Sequence, residues 1–541
     1  MKSNQISNGE KKMKSKEEKN LKEFKNTSLK PKDKKKKQSY LFYKLLFISF
    51  FVFCSAFIIF GKFRKINNYE IVFAPYSNES KYLKYEEEFK NSNSVCDRYD
   101  PINLFKLRID NGPIPICSGK KSKHICYQNI HNYYNDIYSH KQGVICIMEN
   151  IILNPSKYEQ SGFSFINGPT DTSTKGMPIL KKGFFNAECQ ARHISSFKYH
   201  KIYKTYFNSW NYNYEIKEDM LEELSPGKII FFISRNQDSP NLFHGHSEVF
   251  NALAMLYLFN IDPKDVQIVF LESIKIHNNN EENENNKDIP KDPFYDIYKN
   301  MISRGGEPIY IRNLKKKYKI SKAIHVPINW DSSLFLYIDF PKCDSPTKSY
   351  KLYNDFVDKY LDIKPFEDKF ITDNETFYYP ESILRSHETN NSFDKIVTIQ
   401  WRKVWPKNRK GQSRILNNGP QLVNKLTSVL PKNILVRLID NAKLKMEDQI
   451  AMMRNTDYFI GLHGAGLSLS MFLPNNSIFH EIQHQKRTSV LSLMSALSGH
   501  KTYCEVIKSS VNNGDGNEMI SFDEDDFVNH VLNRMKENNF F

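Results

Sequence analysis

From residue 228 onward, short apolar runs alternate with longer stretches in which apolar residues recur every three or four positions. The short runs, rich in β-branched and aromatic residues, read as buried strands, and the longer stretches read as amphipathic helices. On this pattern strands are expected at 229–234, 266–273, 323–328, 395–401, 434–439, 458–461, 478–482 and 502–507. Helices are expected at 242–259, 292–304, 419–430, 447–454, 467–473 and 491–497. Strands alternating with helices at this spacing argue for parallel βαβ units. The predicted fold class is therefore α/β, with two Rossmann-like halves at 228–390 and 391–541 facing across a cleft. Such folds take ligands at the C-terminal ends of their strands. Residues 340–390 show no clean period and read as linker, helix and loop.

The first 227 residues follow a different pattern. Residues 45–61 carry no charge and are strongly apolar, and extension back to Tyr40, with Lys44 snorkelling, gives 22 residues, enough to span a bilayer. The span lies too far from residue 1, and lacks the small-residue ending, for a cleavable signal peptide. The lysines at 30–37 outweigh Lys62, Arg64 and Lys65, which predicts a cytoplasmic tail at 1–39 and a signal anchor at 40–61. Residues 62–227 are then a stem and a cysteine-containing lumenal region, with 96–190 expected to be irregular and tied by disulfides.

Charge changes the picture only at the N-terminus. The net charge is +16, but residues 1–39 hold fourteen lysines against five acidic residues, so +9 of it lies in the tail and +7 in the rest. Such a tail suits an anchor flank, and no nucleic-acid partner is expected. Outside the span stand Cys96, Cys117, Cys126, Cys146, Cys189, Cys343 and Cys504, an odd number that leaves at least one without an intramolecular partner. None has zinc spacing, so no metal ligand set is expected. Asn78, Asn374, Asn390 and Asn475 begin glycosylation sequons, the last of them expected to be enclosed by the helix before it.

The candidate chemistry centres on 455–482 (NTDYFIGLHGAGLSLSMFLPNNSIFHEI). A strand, the small-residue turn His463, Gly464, Ala465 and Gly466, and a following helix make a cradle for a diphosphate. Glycine lets the backbone approach the anion, and free amides with the helix dipole stabilise its charge. A tightened strand-to-helix corner is the architectural alternative.

This segment resembles the signature of glycosyltransferase family 61, and the likeness extends to 413–425 (SRILNNGPQLVNK), 447–451 (EDQIA) and, upstream, 241–248 (NLFHGHSE). The resemblance implies a GT-B-like pair of domains behind the anchor and stem. It implies that His463, Gly464, Ala465 and Gly466 face the diphosphate of a UDP-sugar and that Glu481 meets ribose hydroxyls. Arg402 and Arg414 fall on the family's basic pair before Asn417, with Arg409 and Lys410 as rivals because residues 403–412 form a longer gap. His244 falls on the family's catalytic-side histidine and is the candidate to orient or deprotonate the acceptor, with His246 as a rival. Glu248 stands where the family has Asp, one methylene longer. The implied reaction is inverting transfer of a sugar, N-acetylglucosamine first, to a Ser/Thr hydroxyl of a protein in the endoplasmic reticulum or Golgi lumen. Pentosyl transfer to a glycan and non-catalytic glycan binding are the alternatives. No metal is required, although a divalent cation such as manganese is compatible.

Overall fold

The computed structural model describes residues 95–98, 100–110, 112–119, 121–128, 144–159, 179–191, 203–216, 221–235, 241–272, 292–328, 342–366, 376–388, 393–403, 414–487, 489–514 and 517–541. The tail at 1–39, the anchor at 40–61, the stem up to residue 94, Cys54 and the sequons at Asn78, Asn374 and Asn390 lie outside these. Among the described residues no helix is long and apolar enough to cross a membrane. The architecture is mixed α/β with several sheets.

The first sheet is built on β1 (Ile114–Ser118), β2 (Lys123–Gln128), β3 (Val144–Leu153), β4 (Ile229–Arg235), β5 (Val266–Glu272), β6 (Ile309–Tyr310) and β7 (Tyr318–Val326), in the spatial order β6-β5-β4-β7-β3-β2-β1. Strands β4 to β7 run parallel, while β7, β3, β2 and β1 pair antiparallel. The region expected to be irregular thus contributes regular strands. Its disulfides, Cys117–Cys189 and Cys126–Cys146, cross-link this antiparallel part. The ten residues of β3 are nearly all buried, because this strand lies inside the sheet. The helix expected at 292–304 is instead a single α-turn, Tyr295–Ile297, followed by a π-helix, Tyr298–Ile302.

Three helices pack together at the junction of this sheet with the second. Helix α1 (Pro101–Asp110) is capped by Asp100, whose carboxylate also accepts the amide and hydroxyl of Ser349 at the start of the helix Lys348–Tyr360. The disulfide Cys96–Cys343 closes the same junction. Helix α2 (Leu242–Leu258) follows β4, and the helix Lys348–Tyr360, called α3 here, lies in the stretch that the sequence left unplaced.

The second sheet comprises β8 (Phe377–Tyr378), β9 (Lys395–Gln400), β11 (Ile434–Ile439), β12 (Tyr458–Leu462), β13 (Ile478–Gln483) and β14 (Lys501–Val506), where β10 is the short strand Arg414–Leu416 of a separate three-stranded sheet. Its order is β8-β11-β9-β12-β13-β14, parallel except for β8. Helix α4 (Gly419–Val429) links β10 to β11, α5 (Met446–Arg454) leads into β12, and α6 (Val490–Leu497) joins β13 to β14. Strand order therefore reverses between β9 and β12, and crossovers leave the sheet in opposite directions there. That geometry opens a crevice at the strand C-termini.

Each sheet has its own apolar core, one around Phe185, Phe232 and Ile320, the other around Val397, Ile460 and Leu422. Between them, α2 packs on the segment that follows β12: His246 lies ring to ring with Phe472 and hydrogen-bonds the Tyr353 hydroxyl at 3.0 Å. Asn475, expected to be enclosed, is exposed in the turn beyond that segment.

Candidate active site

The site forms where β9 and β12 end. Strand β12 is wholly apolar and buried, and the chain leaves it through His463 and Gly464 into a 3-10 helix, Ala465–Phe472, tighter than the α-helix expected. The backbone at Gly464 is extended, φ 172°, so the glycine is required by space. A Cβ there would stand 1.1 Å from Nη1 of Arg402, and one on Gly466 would stand 1.6 Å from Nε2 of Gln400. The two glycines thus admit side chains arriving from the neighbouring strand. Arg402 donates from Nη1 to the His463 carbonyl at 2.8 Å, which holds its guanidinium across the turn.

His463 is 19% exposed and donates from Nδ1 to Glu481 Oε1 at 2.5 Å. Glu481, on β13, is fully buried. Its Oε1 also accepts from Gln483 Nε2 at 2.9 Å, and its Oε2 accepts the hydroxyls of Ser489 and of Ser492, the latter at 2.8 Å. Burial alone would raise this carboxyl, but the bond and charge of His463, with Ser489 and Gln483, more than offset it and leave the pKa below the ordinary value. Four donors occupy the carboxylate expected to meet a ribose. In this arrangement it acts through His463, fixing the ring by its Nδ1.

Arg414 lies at the start of β10, half-buried, with Nη1 buried and without a hydrogen-bond partner. Burial lowers its pKa, as does the charge of Arg487, while Glu518 and Glu481 act the other way. It therefore belongs to the same electrostatic cluster as Glu481. Asn417 does not: its side chain bonds Ser521 Oγ at 3.0 Å, and its amide bonds Ile520, tying β10 to the neighbouring strand Asn517–Phe522. Arg409 and Lys410 lie outside the described residues.

On the helix that packs against the segment after β12, His244 occupies the first turn of α2, where Asn241 caps the helix by accepting the Phe243 amide at 3.1 Å. Glu248, expected to work with it, is buried and faces Arg235, 3.9 Å away, which also pairs with Asp292. A buried carboxylate facing an arginine is a poor general base, because the nearby positive charge favours its ionised form and lowers its basicity. The rival His246 is wholly buried at the seam with Phe472, and burial holds its pKa down to about 3. Both histidines are buried, His244 less completely than His246, at 8% against 0% exposed.

Gln400, Gln483, Ser489, Ser492 and Arg487 escaped the sequence reading. Gln400 and Gln483 each close an apolar strand, a signal that could have flagged them. Nothing marked Ser489 or Arg487. Among the described residues one His/Cys group is close enough for a metal, His124 with Cys126 and Cys146, but the two cysteines are bonded to each other. One Asp-x-Asp spacing, at 523–525, is a helix start: Asp523 caps the helix Glu524–Glu537 and pairs with Lys508, and Asp525 pairs with Lys425.

Fold and site together place a glycine turn, two arginines and a buried His463–Glu481 pair at the switch point of a parallel α/β sheet. Residues 310–479 match the family described as Glycosyltransferase 61. The segment holding Arg402, Arg414, Asn417 and the glycine turn lies within that match, and His244, Glu248 and Glu481 lie outside it. The chain is also similar to the EGF domain-specific O-linked N-acetylglucosamine transferase of Mus musculus, 38% identical over 76 residues, which are 14% of each chain. The protein of the same description from Gallus gallus is 36% identical over 69 residues, 13% of each chain. The matched stretch thus spans only a small fraction of the length of these relatives.

Proposed function

We propose that the chain is an inverting glycosyltransferase that moves a sugar, N-acetylglucosamine in the first instance, from a UDP-sugar to a serine or threonine hydroxyl of a secretory-pathway protein. The observation that carries this reading is Arg402 held on the His463 carbonyl across Gly464, at the C-terminal edge of a parallel sheet. The match over 310–479 supports the reaction class, and the named activity of the similar animal proteins supports the sugar and the acceptor.

In the proposed reaction the acceptor oxygen attacks C1 from the face opposite UDP. The bond from C1 to the diphosphate oxygen breaks with its electron pair on that oxygen, and His244 takes the acceptor proton. A histidine suits this task near neutral pH. Charge gathering on the diphosphate is met by Arg402, Arg414 and the turn amides, fixed before the reaction begins. The two sheets are read as the two Rossmann-like lobes of a GT-B arrangement, with residues 40–61 anchoring them in the endoplasmic reticulum or Golgi membrane. No resident metal is called for. Manganese is expected to change turnover little, and chelation with EDTA checks this.

A second reading, glycan binding without turnover, is favoured by one observation, the commitment of Glu248 to Arg235. The full-length chain in detergent, tested for hydrolysis and transfer across a panel of UDP-sugars beside Arg402→Ala, separates the cases. Selective turnover of UDP-N-acetylglucosamine that is lost in the variant supports the proposal. Preference for a UDP-pentose moves it to glycan elongation, and UDP binding without turnover establishes the second reading. Failure of the folded protein to bind any UDP-sugar would overturn it.

A further inference from the structure

The loop that follows β13 carries charge that the site described so far does not use. Strands β12 and β13 are parallel and end together, with Leu462 opposite Ile482 and the His463 amide bonded to the Ile482 carbonyl at 3.1 Å. Residues 484–487 therefore emerge beside the glycine turn, on the flank opposite the one from which Arg402 arrives, since β12 lies between β9 and β13.

Arg487 is exposed, but its backbone is fixed from the inside. The buried Gln483 accepts the Arg487 amide at 2.8 Å and donates to the Arg487 carbonyl at 3.2 Å. The same Gln483 amide group donates to Glu481, so one side chain ties this loop to the carboxylate that orients His463. Arg414 stands close enough to Arg487 for the like charge to depress its pKa, while its buried Nη1 has no hydrogen-bond partner. His484 lies in the same field, 3.8 Å from Glu518 and influenced by Arg414, Arg487 and His463. Cations held together around a buried, fully bonded Glu481 repel one another, and a multiply charged anion relieves that repulsion.

Resting on the proposed function, we infer that Arg487, beside Arg414, is a further cationic contact for the diphosphate of the donor, so that the glycine turn is clamped from both flanks. Arg402 grips one side and Arg487 the other. A guanidinium can span two phosphate oxygens, which suits a diphosphate better than a single phosphate.

The test titrates the full-length chain with inorganic pyrophosphate, UDP and uridine, in wild type, Arg487→Ala and Arg402→Ala. Arg487 is exposed and its backbone contacts do not need its side chain, so the variant is expected to fold as the wild type does. The inference expects Arg487→Ala to weaken pyrophosphate and UDP about tenfold, leave uridine unchanged, and lose part of the salt dependence of UDP binding. If Arg487→Ala binds within twofold of wild type while Arg402→Ala does not bind, the inference falls and the proposed function stands. If pyrophosphate binds in an Arg487-dependent manner and no uridine nucleotide does, the clamp stands and the donor assignment falls. No binding of either ligand overturns both.

Discussion

A methyl group placed on Gly464 would lie 1.1 Å from Nη1 of Arg402, whereas the backbone there, with φ 172°, suits any residue. Gly464→Ala is therefore expected to leave the melting temperature almost unchanged and to expel the guanidinium from the His463 carbonyl. A hydrogen bond to a charged group is worth about 1.5–3 kcal/mol, and UDP affinity in this variant should fall roughly tenfold to a hundredfold, much as in Arg402→Ala. Calorimetric titration beside a thermal melt checks both halves. Glu481→Gln behaves oppositely. It sets an amide donor among four donors in a buried site, which costs about 1–3 kcal/mol. It also unfastens His463, so both the melting temperature and UDP affinity should drop. His244→Ala should keep UDP binding and lower kcat by roughly a hundredfold or more, and single-turnover transfer measurements read this directly.

At the scale of elements, the first turn of α2 has two tasks. It carries His244, and it packs two residues later, through His246, against the 3-10 helix that begins at the glycine turn. Asn241 caps this turn. Asn241→Ala should cost about 1 kcal/mol, seen as a small fall in melting temperature, with a larger fall in turnover because the frayed turn no longer fixes His244. Several elements were legible in the sequence: 434–439 as a strand, 242–259 as a helix to within a residue, and the apolar strand into the glycine turn. Those elements bury continuous apolar runs or one clear helical face, so local pattern and tertiary position agree. The strands at 114–118, 123–128 and 144–153 were missed: they pair with one another, but the sheet they join is completed by strands from elsewhere in the chain. Strand β3, for example, gains its burial from β7, more than 160 positions away. The helix expected after Gly466 winds as a 3-10 helix, where Ser468 turns its hydroxyl back onto the Ala465 carbonyl.

For the whole molecule, the buried histidines of the described residues include His124, His246, His325 and His500, sealed in the two cores and their junctions. Burial holds His124, His246 and His325 down to about 3, and His500 to about 4, from an ordinary 6.5. Above 6.5 both the folded and unfolded chains keep them neutral, so their contribution to stability is whole. As pH falls through 6.5 the unfolded chain takes up protons that the folded chain refuses, and stability declines until the folded values are reached. Each site contributes about 1.4 kcal/mol per pH unit, so four together make melting temperature fall steeply between pH 6.5 and 4. Melts across that window test it, and a flat profile would show that the four are not sealed.

The sequence by itself determined the alternation of strands and helices, the small-residue turn at 463–466 and an odd cysteine, because these depend on local periodicity, residue type and number. Three disulfides left Cys504 as the free one among the described residues, but which cysteines pair was decided by distance in the fold. Tertiary structure alone decided that Glu481 faces inward to four donors, that Glu248 faces Arg235, and that His246 is sealed against Phe472 while His244 sits in the capped first turn of α2. It also brought Arg487 to the flank of the turn. A side chain's partners depend on which strands lie side by side, and strand order is set by burial across the whole sheet, a quantity no local stretch of sequence contains.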